Sequence, residues 1–406
     1  MKTIFSTASI ALILAAGSTA AQDIPQANDA WFTAGQEAMQ AIIDREMNTG
    51  RAKNVILLVA DGDGVGTNYA TRLYAGQRQG KLGEEHVLPY ETPDFHSALV
   101  KTYNINAQTP DSAPTAGAMN TGVKQRFNLI NLGGDAIHDD CSTAFGNELT
   151  TFAGIVTGMG AQYGWNTETF NGLSLDGSAP VLALFNDSHM EYEADRAEDD
   201  EPSLAEMTKA ALEYLSSNEN GYYLEIEAGR VDHANHAGNA KRTMIDGMAF
   251  GDALAMADEL TDDADTLIIV TAEHEHSIAF NGYCGRGTPI EGLCYGVAQT
   301  GEMHSDELVL ADDGKPYTVV AYLNGAASLL TKGEGENDGS GSRPELTQEE
   351  ATDIDYVQQA LIPKSSESHS GEDVAVYAKG PWAHLFDGTI EQNVIFHVMN
   401  HAVAAE

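Results

Sequence analysis

The segment Glu227-Ala-Gly-Arg-Val-Asp-His-Ala-Asn-His236 carries residue types that suit metal chemistry. Asp232 and His236 are four residues apart, so in a helical segment both side chains point to one side. A carboxylate and an imidazole that point together suit zinc, whereas Glu227, after the β-prone run 222–226, suits a harder cation beside it. The alternative is a solvated surface patch of Asp and His, and this segment alone does not decide between the two.

Metal-ligating residues also lie beside three other strand-like runs. They are Asp61 after residues 54–60, Glu273 and His274 after residues 265–271, and His369 next to residues 374–378. Open α/β sheets bind ligands at the carboxyl ends of their strands, so these side chains are predicted to meet at one edge. A single Asp-Gly turn is often purely structural. The repetition at four strand ends therefore favours a shared metal site.

Ser112 is the candidate nucleophile. It stands at the predicted start of a helix, where Pro114 is tolerated in the first turn. Free backbone N–H groups and the helix dipole favour an anion on or near its oxygen. An ordinary serine cap is the alternative, and for an isolated Asp-Ser-Ala sequence it is the more common one.

The elements around these groups indicate an α/β protein. The apolar runs 54–60 and 265–271 are typical of strands buried on both faces. Helices are predicted from apolar periodicity and capping signals. They cover residues 29–49, a stretch from about Asn68, residues 203–215 with Ser203 and Glu206 as a capping box, residues 239–260 and residues 392–403. No linker separates folded units, so we predict a single domain over residues 22–406.

The charge balance narrows the class of partner. Among 406 residues, 21 are Lys or Arg and 61 are Asp or Glu, which gives a formal net charge of −40. Such a surface argues against nucleic acid or an anionic membrane as a partner. It also repels an anionic substrate unless bound cations reverse the potential locally. The oligomeric state stays open, with a homodimer as one option.

The first 21 residues have the pattern of a secretory signal peptide. Lys2 precedes the apolar run 10–16, and small residues at 18–21 offer a cleavage site after Ala20 or Ala21. No later stretch is apolar for long enough to cross a bilayer. We therefore predict a periplasmic or secreted protein.

The three cysteines leave one without a partner. Cys284 and Cys294 flank a turn-rich loop that a local disulfide could close. Cys141 is then the remaining thiol, and a free cysteine packed as a small apolar residue is one account of it.

Taken together, the motifs resemble those of the alkaline phosphatases in content and order, from about Asn54 to His401. The motifs are Asp61-Gly-x-Gly, Thr109-Pro-Asp-Ser112-Ala, Glu227-x-x-x-x-Asp232-x-x-x-His236, Thr271-Ala-x-His274 and Ser368-His369-Ser-Gly-Glu-Asp373. The resemblance implies a three-layer α/β/α sandwich with a largely parallel central sheet. It also implies a phosphomonoesterase that uses two zinc ions, one magnesium ion and a phosphoserine.

The resemblance also implies roles for individual residues. The zinc that activates the hydrolytic water would be held by Asp232, His236 and His369, and the zinc that activates Ser112 by Asp61, Glu273 and His274. Magnesium would be bound by Asp61 and Glu227. The phosphate would lie near Asp111 and His233. Two metals are suited to phosphoryl transfer because they stabilise both the attacking and the leaving oxygen.

The chain departs from the family pattern at three places, one of which is the glycine-rich turn that Ala60 and Asp63 alter. Glu273 stands where the family has aspartate, so its carboxylate reaches one methylene further. Between Gly160 and Ala161 the chain lacks a long segment that carries the phosphate-clamping arginine and further magnesium ligands. In relatives Cys141 pairs with a cysteine in that segment, so its lack of a partner agrees with the loss. Magnesium is therefore expected to bind weakly.

Two hypotheses follow for the function. The first is an exported, metal-dependent phosphomonoesterase that is impaired by the missing arginine. The second is a non-catalytic metal- or phosphate-binding descendant of such an enzyme. A phosphodiesterase or sulfatase of the same superfamily fits the Asp-Ser-Ala and Ser-His-Ser-Gly-Glu-Asp motifs less well.

Overall fold

A computed structural model describes residues 26–138, 140–144, 147–149, 162–186, 188–197, 200–328 and 343–405. The predicted signal peptide and the predicted break between Gly160 and Ala161 lie outside these ranges. The chain divides into two compact units, Met1–Glu46 and Met47–Glu406. Helix α1 belongs to the first unit, and every other element belongs to the second.

The helices and strands alternate along much of the second unit. The helices are α1 (Ala30–Asp44), α2 (Val65–Arg78), α3 (Ser112–Thr121), α4 (Thr167–Asn171), α5 (Leu204–Leu215), α6 (Arg230–His236), α7 (Ala240–Glu259), α8 (Gln348–Ala351) and α9 (Val394–Ala404). The strands are β1 (Asn54–Val59), β2 (His96–Lys101), β3 (Gln162–Gly164), β4 (Val181–Ala183), β5 (Tyr223–Glu227), β6 (Thr266–Thr271), β7 (Glu275–His276), β8 (Ile278–Phe280), β9 (Val320–Gly325), β10 (Ala360–Pro363), β11 (His369–Ser370), β12 (Val374–Lys379) and β13 (Thr389–Glu391).

A six-stranded sheet in the order β13-β2-β12-β6-β1-β5 forms the centre of the fold. Strands β5, β1 and β6 pair in parallel, and β13 pairs in parallel with β2. Strand β12 is antiparallel to both of its neighbours, β6 and β2. The prediction of a largely parallel central sheet is therefore confirmed.

Apolar side chains cover both faces of this sheet, which makes three layers. Every residue of β1 and β6 is buried. Alternate β1 residues pack on α9 and α3 on one face, where Leu57 and Met399 share a cluster. The other β1 residues pack on α7 and α5, where Leu58 and Leu254 share a cluster. Each fully buried aliphatic side chain contributes about 1.5–3 kcal/mol, so the continuous runs secure β1 and β6 at the centre.

Helix α2 begins at Val65, which is earlier than the start predicted near Asn68. The carboxylate of Glu275 accepts hydrogen bonds from the Gly66 N–H at 2.7 Å and the Thr67 hydroxyl at 3.1 Å. These bonds satisfy donors that the first turn of a helix leaves free. A residue distant in sequence therefore extends the helix toward the metal-ligating edge, and a local pattern does not reveal this.

The short strand β11 brings the last predicted ligand to the same edge. His369 precedes β12, and because β12 runs antiparallel, its start lies where the parallel strands end. The His369 backbone pairs with His276 of β7. His369 thus lies before a strand, as the order of the sequence indicates, and the antiparallel direction of β12 places it beside the end of β6.

Among the described residues, none of the helices combines the length and apolar character that a bilayer span requires.

Cys284 and Cys294 form the predicted disulfide. Replacing both cysteines by alanine is expected to lower the free energy of unfolding by about 2–3 kcal/mol, because a bridge over such a short loop removes entropy from the unfolded chain. Denaturant unfolding of the double variant beside the wild type measures this. The reduced wild type serves as the control, and equal midpoints for oxidised wild type and double variant would contradict the expectation.

Candidate active site

Ser112 is the first residue of α3, at the carboxyl edge of the central sheet. Its Oγ donates to Asp61 Oδ1 at 3.2 Å and lies 2.8 Å from His274 Nε2. Asp61 follows β1, and His274 follows β6, so two central strands deliver both partners. The distance from Asp61 Oδ1 to His274 Nε2 is 3.1 Å. The structure therefore brings together a hydroxyl, a carboxylate and an imidazole that are far apart in sequence.

Asp232 lies at the centre of four histidine side chains. Its Oδ1 is 2.9 Å from His276 Nε2 and 3.3 Å from the Nε2 atoms of both His236 and His369. The Nε2 atoms of His236 and His369 are 3.1 Å apart, and the rings of His274 and His369 stack with centroids at 3.6 Å. Such a convergence of nitrogen atoms on one carboxylate suits a transition metal.

The hydrogen bonds of the other ring nitrogens orient three of these histidines. In each, Nδ1 faces a backbone carbonyl and must donate, which leaves the Nε2 lone pair free for a metal. These bonds run from His236 to Glu367 at 2.7 Å, from His274 to Glu275 at 3.3 Å and from His369 to Pro110 at 3.1 Å. The donor set therefore fits zinc.

His276 and Glu367 are members of the site that the sequence reasoning missed. His276 Nδ1 lies 2.6 Å from Glu367 Oε2, and both side chains are fully buried. Burial works to lower the pKa of His276, but hydrogen bonds to Asp232 and Glu367 outweigh it and raise the pKa to about 9. Both nitrogens of His276 thus contact carboxylates. The ring holds Asp232 in the position from which it meets His236 and His369.

The electrostatics of Asp232 follow from the same contacts. Burial works to raise the pKa of Asp232, but hydrogen bonds from His276 and His369 outweigh it and hold the pKa well below its usual range. Asp232 therefore stays ionised, as a metal ligand must.

Three carboxylates form a second group next to Ser112. Oxygen atoms of Asp61, Glu227 and Glu273 lie within 4.8 Å of one another. Burial raises the pKa of Glu273 well above its usual value, and the charge of Asp61 adds to the rise. Partial burial likewise raises the pKa of Glu227 to about 7, although this side chain stays accessible from an adjoining cavity. Mutual repulsion among three oxygen donors suits a hard divalent cation.

Glu273 lies close to Asp61, with which the resemblance grouped it. Its carboxylate is also close to Glu227, and its expected role beside His274 stays a prediction. One oxygen, Oε2, is buried without a hydrogen-bond partner in the part of the chain that the structure describes.

The two residues expected near the phosphate make contacts with other side chains and backbone in the structure. The Asp111 carboxylate accepts the N–H of Asn128 at 3.0 Å. The His233 ring lies against the ring of His189 in a tilted arrangement with centroids 4.3 Å apart, and burial lowers the pKa of His233. Both positions flank the groups on α3 and α6, and their predicted contact with substrate stays a prediction.

A cavity of about 450 Å³ opens beside the carboxylate group. Asp61 and Glu227 line it, together with Arg230 and His233 from α6. Its remaining wall includes apolar residues such as Met207 of α5 and further carboxylates, among them Glu193 and Asp246. The candidate site therefore comprises two metal-ligand groups, a hydroxyl between them and a cavity large enough for a small anion.

A family model described as alkaline phosphatase matches residues 52–159 and 144–405. The chain belongs to the alkaline phosphatase family. The two matched pieces overlap at residues 144–159, next to the break predicted after Gly160. The family, the metal-ligand groups and the serine together identify the chain as an alkaline phosphatase enzyme that acts on phosphate monoesters with metal cofactors.

Curated relatives extend over nearly the whole enzyme. The chain is 30% identical over 480 aligned positions to the tissue-nonspecific alkaline phosphatases of Gallus gallus and Homo sapiens, with 92% of this chain and 88% of each relative covered. Because these alignments are longer than the 406-residue chain, the relatives carry residues with no counterpart in it.

Solved structures share the fold of this alkaline phosphatase. The enzyme of Thermus thermophilus has a TM-score of 0.57 at 19% identity, with 90% of this chain and 94% of that chain covered. The enzyme of the Antarctic bacterium TAB5 has a TM-score of 0.52 at 16% identity, with 89% and 100% covered. The predicted α/β sandwich is thereby confirmed.

Proposed function

We propose that this alkaline phosphatase hydrolyses phosphate monoesters through a phosphoserine at Ser112, with two zinc ions and one magnesium ion as cofactors. The observation that carries the proposal is the position of the Ser112 hydroxyl, which lies within 3.2 Å of metal-ligand atoms from both Asp61 and His274. A serine in that position is activated by whatever cation those atoms hold.

The two groups differ in the cation they would hold. Nitrogen donors of His236, His274 and His369 around Asp232 suit zinc, and Asp61 adds an oxygen donor beside Ser112. The carboxylates of Glu227 and Glu273, which share Asp61, suit magnesium. When bound, these cations would lower the pKa of the attacking oxygen and neutralise the charge that develops on the phosphoryl group. Loss of the relatives' extra segment removes other oxygen ligands, so we expect magnesium to be the weaker binder.

The residues of the chain then divide the reaction into two displacements. In the first, Ser112 Oγ forms a bond to phosphorus as the bond to the alcohol oxygen breaks, and the alcohol leaves with a proton. In the second, water attacks the phosphoserine, its oxygen enters the released phosphate, and Ser112 regains its hydroxyl hydrogen. The free N–H groups at the start of α3, to which Pro114 contributes none, favour the negative charge on Ser112 in both steps.

The proposal includes an impairment. An arginine clamp on a transferring phosphoryl group is worth about 10³–10⁵ in rate in the best cases. Without the segment that bears it, we expect weak turnover and weaker inhibition by product phosphate than in the relatives. The competing hypothesis is a protein that binds metal or phosphate and does not turn over substrate.

Hydrolysis of a chromogenic phosphate monoester at alkaline pH tests the proposal. The mature protein is assayed as purified, after chelation, and after zinc and magnesium are returned, with metal content measured each time. We expect weak activity that chelation removes and zinc restores. A fully zinc-loaded protein without turnover would favour the binding protein, and stoichiometric magnesium without zinc would contradict the metal assignment.

Replacing Glu273 by aspartate is expected to raise the rate by up to about 10²-fold, since a misplacement of roughly 1 Å in a catalytic site costs that much. The shorter side chain withdraws its carboxylate toward the β6 backbone and His274. Steady-state kinetics with measured zinc content gives the result. Glu225→Asp on the exposed face of β5 is the matched control, and an unchanged rate in Glu273→Asp at equal zinc content would contradict the expectation.

We also propose that the chain is exported, with residues 1–21 as the signal peptide and residues 22–406 as the mature domain. N-terminal sequencing of the protein recovered from the periplasm or medium tests this. Recovery with Met1 intact would contradict it. Ultracentrifugation of the mature protein decides whether it forms a homodimer.

A further inference from the structure

Arg230 is a cation at the cavity without a carboxylate in salt-bridge contact, although the charge of Asp246, which lines the same cavity, acts on it at longer range. Within the parts of the chain that the structure describes, no carboxylate lies within 4.0 Å of its guanidinium. The guanidinium carbon sits 3.6 Å above the ring of Tyr192, and the Nε atom is buried without a hydrogen-bond partner.

Arg196 lines the same cavity and shows the contrast. Two of its nitrogens donate to the Glu193 carboxylate at 2.8 and 2.9 Å, and a third donates to the Glu201 carbonyl at 3.0 Å. A carboxylate therefore already neutralises this guanidinium. Arg230 keeps its charge and most of its donors available for another anion.

The partial burial of the Arg230 charge carries a desolvation cost unless an anion binds to the guanidinium. Desolvating a cation without a partner is unfavourable, and stacking on Tyr192 offsets only part of that cost. A guanidinium presents its donors in a planar fork that matches the oxygens of phosphate. An oxyanion in the cavity would satisfy both the charge and the unused donors.

The contact between Arg230 and His233 determines which nitrogen of the His233 ring carries the hydrogen, and that nitrogen is a second hydrogen-bond donor. An Arg230 Nη1 atom lies 3.3 Å from His233 Nδ1. A guanidinium can only donate, so Nδ1 of His233 is the acceptor and the ring hydrogen of the neutral tautomer is on Nε2. His189 contacts the His233 ring in a tilted arrangement, with centroids 4.3 Å apart, and restrains its orientation. Arg230 and His233 therefore form a paired set of N–H donors on one side of α6.

We infer that Arg230, with His233 beside it, binds non-bridging oxygens of the substrate phosphate in place of the arginine that the missing segment carries in relatives. The inference rests on the proposed function for the identity of the anion. It is supported by the cavity, which Arg230 and His233 share with Asp61 and Glu227. Asp61 in turn contacts Ser112, so the cavity adjoins the atoms at which phosphorus would be attacked.

Calorimetric titration of the zinc- and magnesium-loaded protein with inorganic phosphate tests the inference. Three variants are compared with the wild type: Arg230→Gln, Arg230→Lys, and Arg78→Gln as a control with the same charge change on the exposed end of α2. Metal content and thermal unfolding are measured for each. Arg230→Lys keeps the test informative if the glutamine variant does not fold.

We expect Arg230→Gln to weaken phosphate binding by about 10- to 100-fold, the effect of losing hydrogen bonds to a charged group. Arg230→Lys should recover part of this loss, because it restores the charge without the planar fork. Arg78→Gln should bind phosphate as the wild type does. For folded variants with full metal content, KM for a phosphate monoester should rise in parallel with the dissociation constant.

The outcomes separate this inference from the proposed function. Wild-type affinity for phosphate in both Arg230 variants at full metal content would overturn the inference, whether or not the enzyme turns over. A metal-loaded wild type that binds no phosphate at millimolar concentration would overturn it as well. Phosphate binding that depends on Arg230 in a protein without turnover would uphold the inference and count against the proposed function.

Discussion

Replacing Ser112 by alanine is expected to eliminate the phosphoenzyme and to lower turnover by about 10³-fold or more. The substitution removes the oxygen that would form the covalent bond to phosphorus. The groups that activate this oxygen then no longer contribute to the rate, because they act together with the nucleophile. Direct attack by water, assisted by the same cations, accounts for the trace of activity that we expect to remain.

The phosphoenzyme is detected by rapid acid quench and intact-mass spectrometry. Ser203→Ala is a matched control, because Ser203 also stands at a helix start, where it caps α5. Its loss costs about 1 kcal/mol of stability through the cap and leaves the chemistry untouched. Undiminished activity in Ser112→Ala would refute the mechanism.

Replacing Asp232 by asparagine is expected to deplete zinc and reduce activity by at least about 10²-fold. Four histidine nitrogens lie within 4.0 Å of this one carboxylate oxygen. The substitution removes the charge that a cation among those rings requires and leaves His276 with one carboxylate partner instead of two. Loss of an outer partner alone typically costs 10–100-fold in metal affinity, so loss of the central ligand should cost more.

Elemental analysis after dialysis, followed by assay with zinc returned at increasing concentration, measures this effect. Asp312→Asn, on an exposed turn, removes the same charge without touching the site. Zinc content and activity equal to those of the wild type in Asp232→Asn would show that the histidine group does not hold the catalytic metal.

The sequence predicted the residues at the ends of the central strands and failed where the site depends on pairing between distant segments. Asp61, Glu227 and His274 follow uninterrupted apolar or β-prone runs, and that local signal places them at the sheet edge. His276 and Glu367 carry no such signal alone. One usable clue was that His276 lies two residues after His274, a spacing that puts both side chains on one face of an extended chain.

A sequence pattern does not predict the position of Glu367 in the site or how far the Glu273 side chain reaches. Glu367 meets His276 because the short strand β11 pairs with β7 across about 90 residues of chain, and register between such segments is set by the assembled sheet. The closeness of Glu273 to Glu227 depends on how far the longer side chain reaches from the backbone. A motif match assigns the position but not the distance that its side chain covers.

The place of β12 within the central sheet bears on how the molecule is assembled. Strands β2 and β13 reach β6 only through β12, which comes from residues 374–379. During synthesis, Ser112, β1 and β6 are made well before β12. The edge of β6 therefore stays unpaired until the last tenth of the chain has been made. Pairing so distant in sequence is slow to form and leaves strand edges open to aggregation meanwhile. We therefore expect chains that end before β12 to be recovered as insoluble material, whatever their complement of metal ligands.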